Sequence, residues 1–281
     1  MCFQKGNEMT KILVPVDFSD FSKYALEVAA TLAKQHGAGI VLLHMIGMSD
    51  SVLANSELAE EAEAKYFLKL AKNKIKELTE QKHLKGIPVN AVIQNYKDFE
   101  EVNHVAKEQN CDLIVMGSHG TSGIQELFVG SNTEKVVRSS ELPVMVIKSS
   151  PVDFTIKRMV MACDLDLENI PVYKKAEQFA KRNGASLEMV YVHSAGANFM
   201  GRDDVTQQLE AFKQALGTDI DIHFYDHNSV GKGILQYCFE RNADLLVIPT
   251  HGRKGLARFI VGSLAENVSN HAKIPVMTIR I

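Results

Sequence analysis

Asp112-Leu-Ile-Val-Met-Gly-Ser-His-Gly120 is a short apolar run closed by two glycines, and nine residues later come Gly130 and Ser131. The same order returns further along. Asp244-Leu-Leu-Val-Ile248 is followed by His251 and Gly252, and nine residues later by Gly262 and Ser263. A brief continuous apolar run rich in Val and Ile reads as a strand buried on both faces, the pattern of a parallel sheet. Glycines directly behind such a strand let backbone approach a ligand and supply positive φ. A helix opening at Gly130-Ser131 presents free N–H groups and a positive dipole end, which suit a phosphate. The copies differ at one place: Pro249 stands where the first has Gly117.

Outward from these runs, three more blocks match in the same order. Lys11-Ile-Leu-Val-Pro-Val-Asp17 matches Arg158-Met-Val-Met-Ala-Cys-Asp164, Val41-Leu-Leu-His44 matches Val190-Tyr-Val-His193, and Leu142-Pro-Val-Met-Val-Ile147 matches Ile274-Pro-Val-Met-Thr-Ile279. Matched blocks in constant order are a tandem duplication. The expected units are 1–150, with the intact motif, and 151–281, with the degenerate one, divided near Ser149 to Asp153. The offset between copies is 147 residues at the aspartates but 132 at the glycines, so the second copy is about 15 residues shorter. Most of the loss follows the second strand, where the first copy has a helix near Ser56 to Gln81 and the second only Asp203 to Leu216.

Strands are expected near 11–16, 40–46, 88–94, 112–117 and 143–148, and again near 157–163, 186–193, 219–224, 244–249 and 275–280. Between them, Ala25, Val28, Ala29, Leu32 and Ala33 show helical spacing, with Ser19 or Asp20 placed to cap. Alternating strands and helices imply right-handed crossovers and two doubly wound, five-stranded parallel α/β sheets.

The chain has 281 residues, 23% of them charged, with a formal net charge of -3. With neither a basic stripe nor a Lys/Arg block, a nucleic acid or anionic membrane is not an expected partner. The longest apolar runs span five to seven residues, far below the roughly 20 that cross a bilayer. Met1 to Glu8 has no apolar core and is not read as a secretory signal; Met9 is an alternative start. Cys2, Cys111, Cys163 and Cys238 show no metal-like spacing, and buried free thiols imply a reducing, cytoplasmic setting.

In an open parallel sheet, ligands bind beyond the carboxyl ends of the strands, where strand order reverses. Asp17 and the Gly117–Gly120 loop both fall there. Asp17 is an acceptor suited to a ribose hydroxyl or to a metal ion held on phosphates.

At these residues the chain resembles the universal stress protein family in its tandem form, over nearly its whole length. The resemblance rests on Ile12-Leu-Val-Pro-Val-Asp-Phe-Ser19, on Asp112 to Gly120 and on Gly130-Ser131. It implies a fold like that of the adenine-nucleotide α-hydrolases, the halves packed as a pseudo-dimer edge to edge through Pro143–Ile147 and Pro275–Ile279. It implies ATP or another adenine nucleotide, with magnesium on the phosphates. Pro15, Val16 and Asp17 would line the adenosine pocket, Met45 would meet adenine through its backbone, and Met116, Gly117, Gly120, Gly130, Ser131 and Asn132 would surround ribose and phosphates. The second copy keeps Asp164, Ser194, Gly252, Gly262 and Ser263 as a second candidate site. Pro249 has no N–H and a fixed φ, while Arg253 and Lys254 add positive charge. Altered nucleotide binding, another anionic ligand and an empty structural copy all stay open.

Other features have blander readings. His119 and His251 lack a paired nucleophile and read as loop-shaping or ligand-contacting, while His44 and His193 read as core. His223 and His227 flank a strand end rather than a helix face, against a metal pair. The charges of 56–81 read as a solvated face, a partner surface being the alternative. No nucleophile-elbow pattern appears around Ser118 or Ser122.

The function expected is a nucleotide-binding stress or regulatory protein, a pseudo-dimeric monomer or a homodimer, without catalytic residues or with at most slow ATP hydrolysis. The rivals are a protein-interaction or chaperone-like scaffold that binds no nucleotide, and a nucleotide-using hydrolase or transferase. The last lacks its usual Ser-Gly-Gly loop after the first strand.

Overall fold

A computed structural model describes residues 9–46, 57–95, 100–118, 131–150, 153–194, 202–217, 220–250 and 274–280. The first half runs β1 (Lys11–Pro15), α1 (Asp20–His36), β2 (Gly39–Ile46), α2 (Glu57–Thr79), β3 (Val89–Asn95), α3 (Glu100–Glu108), β4 (Leu113–Gly117), α4 (Ser131–Ser139) and β5 (Val144–Ile147). The second runs β6 (Arg158–Cys163), α5 (Ile170–Asn183), β7 (Ser186–His193), α6 (Arg202–Leu216), β8 (Ile222–Asp226), α7 (Val230–Glu240), β9 (Leu245–Thr250) and β10 (Val276–Arg280). The expected strands are all present. The largest shift is at β8, which begins at Ile222 rather than near 219.

The described strands form one ten-stranded sheet in the order β3-β2-β1-β4-β5-β10-β9-β6-β7-β8. Within each half neighbours are parallel, and the halves join where β5 meets β10 antiparallel, Val146 opposite Val276, Met145 opposite Met277 and Val144 opposite Thr278. The expected edge-to-edge contact through the fifth strands is this ladder.

Local chemistry explains the elements. Ser19 caps α1 by accepting from the Ser22 amide, and Asp20 in the first turn suits the helix dipole. Ala25, Leu26, Val28, Ala29, Leu32 and Ala33 form its buried stripe. The helix ends at Gly37, left-handed with φ 65°, and α5 ends the same way at Gly184, φ 64°. Strand residues alternate between two buried faces. Ile12 and Val14 join a core that includes α1, α2, α5 and α6 residues from both halves, whereas Leu13 joins the α3 and α4 side of the first half. On that second face α7 covers its own half separately.

One pair of aspartates repeats to the atom. Asp112 Oδ2 accepts from the amides of Thr10 at 2.6 Å and Lys11 at 3.0 Å. Asp244 Oδ2 accepts from the amides of Lys157 and Arg158, each at 2.8 Å. Each aspartate returns its own amide to Lys11 O or Arg158 O at 2.9 Å. Each therefore ties the start of its fourth strand to the start of its first.

No helix among the described residues is long and apolar enough to cross a membrane. Cys111, Cys163 and Cys238 are buried and free. Burial pushes the Cys111 thiol up to about 11 and those of Cys163 and Cys238 to about 12. Since the thiolate is the reactive form, these three should resist iodoacetamide at pH 8 in the folded protein and alkylate fully in guanidinium. Mass mapping of labelled peptides checks this, and rapid native labelling of any of the three contradicts it.

Candidate functional site

The strand order β2-β1-β4 reverses between β1 and β4, so the switch point of the first half lies between Asp17, just past β1, and Gly117, the last residue of β4. Several contacts shape the β1 side. The Val16 amide donates to Leu43 O at 2.8 Å, and the Val16 carbonyl accepts from His44 Nδ1 at 2.8 Å. A carbonyl only accepts, so Nδ1 carries the proton in this contact. Asp17 Oδ1 accepts from the Ser19 amide at 3.0 Å and from the Ser19 hydroxyl. Between them Phe18 is left-handed, φ 66°. Its ring lies 4.4 Å from His44, with Lys74 Nζ of α2 5.0 Å over it.

On the β4 side, the buried Thr133 hydroxyl donates to Gly117 O at 2.9 Å. This bond spans the intervening loop and holds the first turn of α4 against the end of β4. The first N–H groups of a helix have no partner inside it, so the turn meets the switch point with its positive end. Glu134 in that turn pairs with Arg138 one turn later.

Gly117 is explained by packing. A Cβ there would lie 2.7 Å from the Phe21 carbonyl carbon and 2.8 Å from its Cβ and oxygen. The first turn of α1 thus rests directly on Gly117, a reason for glycine that adds to any approach by a ligand.

The predicted site residues fall into distinct groups. Pro15, Asp17 and Met45 are half-buried at the carboxyl edge. Val16 and Met116 are core residues, 4% and 7% exposed, so their side chains serve packing first. Asn132 is exposed on the first turn of α4, which Ser131 begins. Gly120, Gly130, His119 and Ser122 lie outside the described residues, as do Gly252, Gly262, Ser263, His251, Arg253 and Lys254. His44 and His193 differ from the core reading: both are half-buried, and His193 Nδ1 meets Asp226 Oδ1 at 3.0 Å. Ser194 directly follows β7.

In the second half, Asp164 Oδ1 accepts from the Asp166 amide at 3.1 Å and from the Tyr173 hydroxyl at 2.9 Å. Asn169 Nδ2 lies 2.9 Å from both Asp164 oxygens. Sequence reading missed Thr133, Phe21, Asn169 and Tyr173. For the last two a signal existed in the 147-residue offset, which sets Asn169 against Ser22 and Tyr173 against Leu26. Among the described residues no group of three or more His, Cys, Asp or Glu is placed to hold a metal.

A mostly parallel sheet with helices on both faces and a switch point between β1 and β4 defines a protein of the doubly wound α/β class. The family model of the universal stress proteins matches residues 8–148 and again 155–280, and the chain belongs to the universal stress protein family. Universal stress protein MJ0577 of Methanocaldococcus jannaschii is 31% identical over 152 residues, 49% of this chain and 94% of that protein. A universal stress protein of Mycolicibacterium smegmatis is 21% identical over 287 residues, 96% of each. Among solved structures, a universal stress protein from Archaeoglobus fulgidus shares the fold with a TM-score of 0.67 at 22% identity, covering 97% of both chains.

Gly117→Ala should destabilise the protein by about 1–3 kcal/mol, the usual cost of overpacking a tight contact. Urea unfolding without nucleotide checks this. An unchanged midpoint would show that the Phe21 backbone yields and that packing does not demand the glycine.

Proposed function

We propose that the first half binds ATP or a closely related adenine nucleotide, and that the protein works by binding in a stress response rather than by fast turnover. One observation carries the reading: Asp17 and the Gly117–α4 junction sit on the two strands flanking the switch point, with α4 drawn to β4 by Thr133. A ribose supplies hydroxyl donors to a carboxylate such as Asp17. The triphosphate supplies the negative charge that a helix start attracts. Adenine would reach past β2 toward Met45, and magnesium would arrive on the phosphates. Membership of the universal stress protein family supports the same assignment, and the G-x2-G-x9-G-S spacing from Gly117 to Ser131 agrees with it.

Protein purified without added nucleotide and then denatured should release adenine nucleotide, close to one per chain. After stripping, calorimetric titration should restore ATP binding. Gly120→Val or Gly130→Val should weaken that binding at least tenfold, whereas Gly252→Val or Gly262→Val should change it by less than threefold. No released nucleotide together with no ATP binding would sink the proposal, leaving the glycine loops to the fold alone.

A further inference from the structure

Asp17 and Asp164 occupy the same place in the two halves, and the turns that carry them begin alike. The amide two residues on donates to each carboxylate, at 3.0 Å from Ser19 and 3.1 Å from Asp166. The residue between is left-handed in both, Phe18 with φ 66° and Leu165 with φ 60°. From there the halves part. Asn169 Nδ2 bonds both oxygens of Asp164, and Tyr173 adds its hydroxyl to Oδ1. Asn169 and Tyr173 are both 0% exposed. Burial first, and then the Cys163 and Asp164 charges, raises the Tyr173 phenol far above its usual range, so it stays a donor. In the first half the Ser19 hydroxyl also donates to Asp17 Oδ1, but the counterparts of Asn169 and Tyr173 make no such clamp. Leu26 has no donor, and the Ser22 hydroxyl is directed to Ser19 O at 2.9 Å.

A second difference points the same way. Where α1 starts at Asp20, the second half has a 3-10 turn over Leu167–Asn169, and α5 starts only at Ile170. The counterpart of Phe21 is Glu168, exposed on that turn. The counterpart of Gly117 is Pro249, buried in β9 opposite Ile279. In the first half even one added carbon at Gly117 would collide with the backbone of α1. A proline there is compatible only with a helix that begins later, and the second half has that helix.

We infer that Asn169 and Tyr173 engage in the second half the carboxylate that a ribose would otherwise use, so that Asp164, although exposed at the carboxyl edge, is committed to its own half rather than to a nucleotide. Asp164 then holds the β6–α5 turn instead of a ligand. The comparison with a ribose rests on the proposed reading of the first half; the clamp itself does not.

The test uses the full chain, stripped of nucleotide, with ATP titration and thermal unfolding run on the same samples. Wild type should bind one ATP per chain. Tyr173→Phe keeps the ring against Phe212, 5.0 Å between centroids, and loses only the hydroxyl. It should lower Tm by roughly 2–4 °C while stoichiometry and ATP affinity stay within twofold of wild type. Asp164→Asn should give the same two results, so the outcome does not hang on one variant. Two ATP per chain would overturn the inference, as would an Asp164→Asn protein with lower stoichiometry and unchanged Tm. If wild type binds no ATP, the proposed function fails, and Tm still decides the clamp. A lowered Tm in both variants upholds it, and an unchanged Tm in both refutes it.

Discussion

Backbone pairing between β5 and β10 turns two five-stranded sheets into one. Each of these strands would otherwise end its sheet as an exposed row of unpaired N–H and C=O groups, an edge prone to unwanted pairing. Both are buried along the ladder, through Val144 to Ile147 and Val276 to Ile279, and apolar but for Thr278, so neither could face water without large cost. Contacts around the ladder follow from it. Arg280 reaches back to Ser139 O at the end of α4. Beneath the sheet, His36 of α1 meets Asn183 of α5 at 3.2 Å. The core on the α1 and α5 side includes residues of both halves, so the duplicated units share one interior face and are not two beads on a string.

This constraint has a consequence for the candidate site. The duplicated halves are related by a pseudo-two-fold axis near Met145 and Met277, and the switch points of both lie inside a single sheet. The second half completes the first in packing terms, whatever its own edge binds. It covers β5 with β10, and through Arg280 it supplies a cation at the carboxyl end of α4, where the helix dipole favours positive charge. The helix whose start faces the switch point is thereby held at both ends, by Thr133 within its own half and by Arg280 from the other.

Nearly all of the fold was legible in the sequence because strands buried on both faces are continuous apolar runs, and duplication offers each run a second time. The cap of α1 was legible as Ser19 or Asp20 from cap chemistry, whereas the fifth strands as the seam followed only from the family resemblance. The site was legible only in outline. Gly117 reads equally as room for a ligand and as room for the Phe21 backbone, and only the path of α1 reveals the second. His44 reads as core because it ends an apolar strand, although its ring sits half-buried at the rim and bonds Val16 O. Tyr173 looks like one more apolar position of a helix stripe. Its hydroxyl gains meaning only when the turn before α5 brings Asp164 to 2.9 Å.

Four aspartates separate what duplication kept from what it released. Asp112 and Asp244, at the amino edge of the sheet, make the same bonds to the same backbone positions in both halves. Their partners are backbone amides, present whatever the side chains, so drift in the surroundings leaves the clamp intact. Asp17 and Asp164, at the carboxyl edge, share a bond from the amide two residues on, and their side-chain partners differ. Everything else around Asp164 is made by side chains, and those changed together: Ser22 to Asn169, Leu26 to Tyr173, Gly117 to Pro249, and a helical turn to a 3-10 turn. A lone buried Tyr hydroxyl or Asn amide would be costly there without its acceptor, so the donors and the carboxylate only make sense as a set. Pro249, opposite Ile279 in β9, stands at the same carboxyl edge as this set, and the later start of α5 leaves the room that the Phe21 backbone denies at Gly117.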